Sequence, residues 1–186
     1  VLEEHGYYAM LYPSKKSLER EIQMIERFKS HFYDGIIFVS FDFCEENISA
    51  LRRAKVPAVL TNHYPGQRPN DNFDYVFSDH TLGMQLAAEH LLQKGCRNIL
   101  LLSGDIRKQT SHERYEGFLR AMQAAGLTPQ PEYLLNGEYS AEASYRVFAQ
   151  FMESGRPVDG IIASNDLSAV GILRYCREHG IQIPQE

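Results

Sequence analysis

Polar side chains recur where short apolar runs end. Ser40 follows IIFV, Asn62 follows VLT, Asp79 follows VFS, residues 103–105 (Ser-Gly-Asp) follow ILLL, Tyr139 follows LLNGE, and Asn165 and Asp166 follow IIAS. Thr110 and Arg114 open the helical stretch behind ILLLSGD. Together they offer donors, acceptors, one cation and one aromatic. That set suits a polyhydroxylated ligand or a small heterocycle: a guanidinium forks onto paired oxygens, carboxylates and amides hold hydroxyls, and a ring covers an apolar ligand face. Each also admits a purely structural role. Asn165, Asp166 and Asp79 fit helix caps, Arg114 fits a surface pair with Glu113 or Glu116, and Tyr139 fits a loop aromatic packed on a core.

Catalytic patterns are missing. There is no GxSxG nucleophile elbow, no GxxxxGK[ST] phosphate loop, no HExxH and no GxGxxG behind a strand. The seven histidines show no metal-ligand spacing. Neither an enzyme nor a metal nor a cofactor is expected from these residues.

What must position the polar set is an alternation of two periods. Apolar runs at Tyr7–Tyr12, Ile36–Val39, Ala58–Leu60, Tyr75–Phe77, Ile99–Leu102, Tyr133–Leu135 and Gly160–Ala163 are mostly uninterrupted, as in strands buried on both faces of a parallel sheet. Helical stripes lie between them: Leu18, Ile22, Ile25 and Phe28; a weaker one over 46–54; Met84, Ala87, Ala88, Leu91 and Leu92; Tyr115, Phe118, Leu119 and Met122; Ala141, Tyr145, Phe148 and Met152; and Ala169, Val170 and Leu173. Gly95, Gly126, Gly155 and Gly180 sit where helices close, and Ser17, Thr81 and Ser140 near where they open. The beat predicts α/β architecture with parallel sheets and right-handed crossovers, in which ligands bind outside the carboxyl ends of the strands. The polar stretch 62–74, NHYPGQRPNDNFD, reads as a long loop. It puts a lobe boundary near residue 80, giving lobes 1–80 and 81–186. Both ends read as cut: VLEEHG as the last turn of a helix, and IQIPQE as the approach to a further strand.

The 186 residues suffice for one domain or two small lobes, and 44% apolar with 23% charged residues is ordinary for a globular chain. A net charge of −5 argues against this stretch gripping nucleic acid unaided. Cys44, Cys96 and Cys176 are odd in number and form no CxxC pair, as expected of reduced thiols in a cytoplasmic protein. No apolar stretch is long enough for a membrane span.

Read in order, YDGIIFVS (33–40), KVPAVLTN (55–62), VFSDHTLGMQLAAEHLLQKGCRNILLLSGD (76–105), ERYEGFLRAMQAAGL (113–127), NGEYSAEASY (136–145) and VDGIIASNDLSAVGILRYCREHGIQIP (158–184) resemble the lactose/galactose repressor family of bacterial transcriptional regulators. The similarity spans essentially the whole chain and rests on the combination of motifs. It implies an effector-binding core with a two-lobed fold like that of periplasmic sugar-binding proteins, with parallel sheets and helices on both faces, here truncated at both ends. It also implies a homodimer, an operator read by an N-terminal domain absent from this chain, and a small effector, a sugar before a purine, that couples to operator affinity. Residue by residue, Arg114 stands where such regulators place an effector-contacting arginine, Thr110 matches a polar contact one turn earlier, Tyr139 takes the stacking aromatic's place, and Asn165 that of a hydroxyl-binding amide. Asn62 follows its strand where the family often has Asp or Asn, and Ser40 is a weaker match. The family's further aspartate, from a GFDD-like turn after the IP motif, has no counterpart here. A periplasmic sugar-binding protein serving a transporter is the alternative with the same fold.

Overall fold

The computed structural model describes residues 1–15, 17–28, 33–40, 43–64, 66 and 68–184. Two positions of the expected loop, 65 and 67, and the last two residues of the expected C-terminal approach lie outside them. Contacts divide the chain into two units, Val1–Phe77 and Ser78–Glu186.

The first unit holds helices α1 (Leu18–Arg27) and α2 (Glu45–Ala54) and strands β1 (Ile36–Phe38), β2 (Ala58–Leu60) and β3 (Phe73–Tyr75). The strands form a parallel sheet in the order β1-β2-β3. Ile25 of α1, Ile48 and Leu51 of α2, and Ala58, Leu60 and Phe73 of the sheet make its core. α1 opens on Ser17, whose side chain accepts the Arg20 N–H. The fully buried Asn47 accepts the Cys44 N–H at 3.0 Å and donates to Glu21 at 3.2 Å, fastening α2 to α1. The connection from β2 to β3 contains no helix among the described residues. It is clamped by Arg52, whose Nε and Nη2 reach the Asp71 carboxylate at 2.7 and 3.1 Å while Nη2 also donates to the Gly66 carbonyl at 2.9 Å.

Two expectations for this unit change. The run Tyr7–Tyr12 pairs with no strand among the described residues and lies open, Leu11 being 93% exposed. The last strand lies two residues earlier than the apolar run Tyr75–Phe77 suggested, because packing decides the register: Phe73 pairs with Ala58 and is 4% exposed, whereas Phe77 is 54% exposed.

The second unit is a doubly covered sheet. Its strands β4 (Ile99–Ser103), β5 (Leu134–Asn136) and β6 (Gly160–Ala163) run parallel in the order β5-β4-β6. Every residue of β4 is buried, and its alternation feeds two cores. Ile99 and Leu101 pack under α3 (His80–Gln93) and α4 (Gln109–Ala124) with Met84, Phe118 and Met122. Leu100 and Leu102 pack under α5 (Ala141–Glu153) and α6 (Asp166–Glu178) with Phe148, Ile172 and Tyr175. α3 and α4 approach so closely at Gly117 that a Cβ there would overlap the Thr81 carbonyl. The cap residues are Ser140 for α5 and Asp79, rather than Thr81, for α3: Asp79 accepts the Leu82 N–H at 2.8 Å and Thr81 lies in the first turn. Gly95, Gly126, Gly155 and Gly180 all take positive φ just past helix ends.

Candidate ligand-binding site

Parallel strands share one carboxyl edge, so each sheet gathers its strand-end residues on one side. In the second unit that edge carries Ser103, Gly104 and Asp105 after β4, Tyr139 after β5, Ser164 and Asn165 after β6, and the first turns of α4. In the first unit it carries Ser40 and Asn62.

Three of the expected residues meet directly. The Tyr139 hydroxyl accepts from Arg114 Nη1 at 3.1 Å, and the Arg114 guanidinium carbon lies 5.7 Å from the Tyr139 ring centre. Asn165 Nδ2 donates to the Tyr139 carbonyl at 3.3 Å, while its Oδ1 accepts the Ser168 N–H at 2.9 Å. Asn165 therefore caps α6 and ties it to the Tyr139 turn together, keeping one amide donor and one lone pair for further use. Thr110 is buried on the first turn of α4, on the same helix face as Arg114 four residues on.

The Tyr139 turn is held under strain. Glu138 and Tyr139 take φ of 52° and 55°, consecutive left-handed positions that cost each non-glycine residue of order 1 kcal/mol or more. Surrounding bonds hold the turn: Glu138 N–H to Asn136 Oδ1 at 3.0 Å, Gly137 N–H to the Ser103 carbonyl at 2.8 Å, and Ser140 N–H to the Gly137 carbonyl at 2.9 Å.

The surface pairing open to Arg114 is not made. Glu113 accepts from Gln109 at 3.0 Å, and Glu116 faces His112 and Arg120 at 3.3 and 3.6 Å. Within its unit no carboxylate reaches Arg114 among the described residues. Its charge is felt nearby: burial first, and then Arg114, hold the His80 imidazolium below the usual histidine range.

The remaining positions divide. Asp79 is the α3 cap. Asp166 is exposed at the first position of α6. Asp105 is gripped by Arg107 in its own turn, at 2.6 Å from Nη2, which holds its carboxyl down at about 2. Asn62 is buried at the end of β2, accepts the His63 N–H at 2.9 Å, and leaves its Nδ2 without a partner among the described residues. Ser40 stands half-buried just past β1. The buried hydroxyls of Ser103 and Ser164, at the ends of neighbouring strands, likewise lack a partner there.

One residue beside the site escaped the sequence reading, and another entered it only as part of the turn at 103–105. Ser111, fully buried, shares a 2.7 Å hydrogen bond with the Tyr139 hydroxyl. Gly104 lies against the Tyr139 ring, where a Cβ would overlap it. Ser111 lies three residues before Arg114, on the same helix face.

A periplasmic binding protein-like domain model matches residues 88–186. The chain is 27% identical over 191 residues to an HTH-type transcriptional repressor PurR of Haemophilus influenzae, covering 100% of this chain and 55% of the relative. To that of Pasteurella multocida it is 25% identical over 192 residues, covering 100% and 56%. It thus spans little more than half the length of these curated relatives. Among solved structures, a sugar-binding transcriptional regulator of the LacI family from Escherichia coli, complexed with phosphate, superposes with a TM-score of 0.83 at 25% identity, over 98% of this chain and 65% of that one. A regulatory protein of the LacI family from Chloroflexus aggregans gives 0.83 at 27% identity, over 99% and 66%.

Proposed function

This chain belongs to the periplasmic binding protein-like domain family, within its lactose/galactose repressor branch; from that premise we propose that it is the sensing core of a cytoplasmic repressor whose effector is a sugar. In the whole protein, effector binding shifts the affinity of a separate DNA-binding domain for its operator, and the repressor works as a homodimer. The chain acts by binding and performs no catalysis.

The observation that carries this reading is Arg114. A half-buried guanidinium at a sheet's carboxyl edge, with no carboxylate of its unit in reach among the described residues, braced by a phenol on a strained turn, is poised for ligand oxygens. Tyr139 supplies ring surface, Asn165 its spare donor and lone pair, and Thr110 a hydroxyl. Asp79 and Asp166 are lesser contacts of the same unit, through carboxylate faces left over from the helix start, and Asn62 and Ser40 are polar groups at the first unit's own carboxyl edge. A set rich in oxygen acceptors and holding one cation favours a hydroxyl-rich ligand that donates many hydrogen bonds. The similar regulator described as sugar-binding supports the same class.

The test is a thermal-shift screen of the full-length protein against monosaccharides, sugar phosphates and nucleobases. A ligand bound only by the native state raises the unfolding midpoint. A sugar or sugar phosphate is expected to raise it in the wild type and not in R114A. A rise with nucleobases alone would replace the sugar assignment.

A further inference from the structure

We propose that Ser111 and Gly104 are positioning residues of this site, which fix Arg114 through the phenol of Tyr139. The inference rests on the effector reading above for its consequence, but its geometry stands without a ligand. Arg114 can only donate, so at 3.1 Å the Tyr139 oxygen accepts from it. The phenol proton is then free for the Ser111 Oγ at 2.7 Å. Ser111 is 0% exposed and sits on α4, one turn before Arg114, so the serine and the arginine hold the same phenol oxygen from one rigid helix. Gly104 sets the other side: the ring lies where any side chain at 104 would stand.

Three elements thus converge on one tyrosine: the β4 end against its ring through Gly104, α4 on its hydroxyl through Ser111 and Arg114, and the strained β5–α5 turn that carries it. This gives the hydroxyl, and not just the ring, a task. A phenylalanine would keep the ring surface and release the guanidinium. Bracing an arginine before the ligand arrives removes rotamer freedom that binding would otherwise have to freeze. Neither Ser111 nor Gly104 need touch the effector to set its affinity.

The experiment is nitrogen-15 NMR of arginine side chains in the full-length protein without ligand, with the Arg114 signals identified by their loss in R114K. The Arg114 Nη–H protons are expected to exchange about tenfold faster with solvent in Y139F and in S111A alike, the release expected for one lost hydrogen bond. In the S111A/Y139F double variant they should exchange no faster than in Y139F alone. G104A, which displaces the ring, should match Y139F. Wild-type exchange in S111A, or in Y139F, would overturn the relay, as would additive effects in the double variant. Thermal-shift screening of the same wild-type sample keeps the two ideas apart. Predicted Arg114 behaviour in a protein whose midpoint no sugar raises upholds the relay while the effector reading fails.

Discussion

At the scale of single residues, the account turns on side chains doing two things at once. Asn165 caps α6 and anchors the Tyr139 turn, which leaves one amide donor and one lone pair for the proposed effector. Asp79, by contrast, is spent largely on the α3 cap. Replacing it with alanine is expected to cost about 1 kcal/mol of stability, read from denaturant midpoints. Tyr139→Ala removes ring area and the brace on Arg114. Effector affinity should fall by at least about 1 kcal/mol, a roughly fivefold rise in Kd by titration calorimetry. An unchanged Kd would deny the tyrosine its contact. Strand-end polarity in the sequence pointed to Arg114, Tyr139 and Asn165, and the structure joins them. Ser111 stayed hidden because one serine on an amphipathic helix has no signature until its partner's position is known. Gly104 was visible as part of the turn at 103–105, but its closeness to Tyr139 was not, because its contribution is an absent side chain.

At the scale of elements, burial governed what could be read. The runs at β2 and β4 are legible because their side chains are largely enclosed, and Ile99–Ser103 is buried on both faces. Leu101→Ala should therefore destabilise the second unit by about 2–5 kcal/mol, measured by chemical denaturation. A loss under 1 kcal/mol would contradict the two-sided core. Where burial is one-sided, apolar content misleads. Tyr75–Phe77 is the more apolar run, yet Phe73 is the residue that fills the core, so the strand moves to Phe73–Tyr75. Tyr7–Tyr12 is apolar enough to read as a strand, but a strand is defined by its ladder, and this run has no partner among the described residues. The connection between β2 and β3 brings a pH dependence. Arg52 hydrogen-bonds Asp71 and holds its carboxyl below the ordinary aspartate range. A folded pKa below the unfolded value of about 3.9 gives stability that is complete above that value and lost as pH falls through the folded one. The wild type should lose more thermal stability than D71N on acidification below about pH 4. Parallel curves for the two proteins would show that the clamp carries no linkage.

At the scale of the molecule, the division into Val1–Phe77 and Ser78–Glu186 gives each unit its own sheet and its own carboxyl edge of polar residues. A sensing core requires that effector and operator affinities be coupled, and coupling is reciprocal. Operator DNA should change effector affinity by the same factor as effector changes operator affinity, measured on the full-length protein. A factor of one in either direction would mean that effector and operator binding are not coupled. The most direct measurement of the central claim is calorimetric titration of the screened sugar into full-length wild type and R114A, with circular dichroism to show that both are folded. Loss of a charge-assisted contact at Arg114 predicts at least about a tenfold rise in Kd. Equal affinity in the two proteins would contradict the account, because the cation at the centre of the site would then not be what holds the ligand.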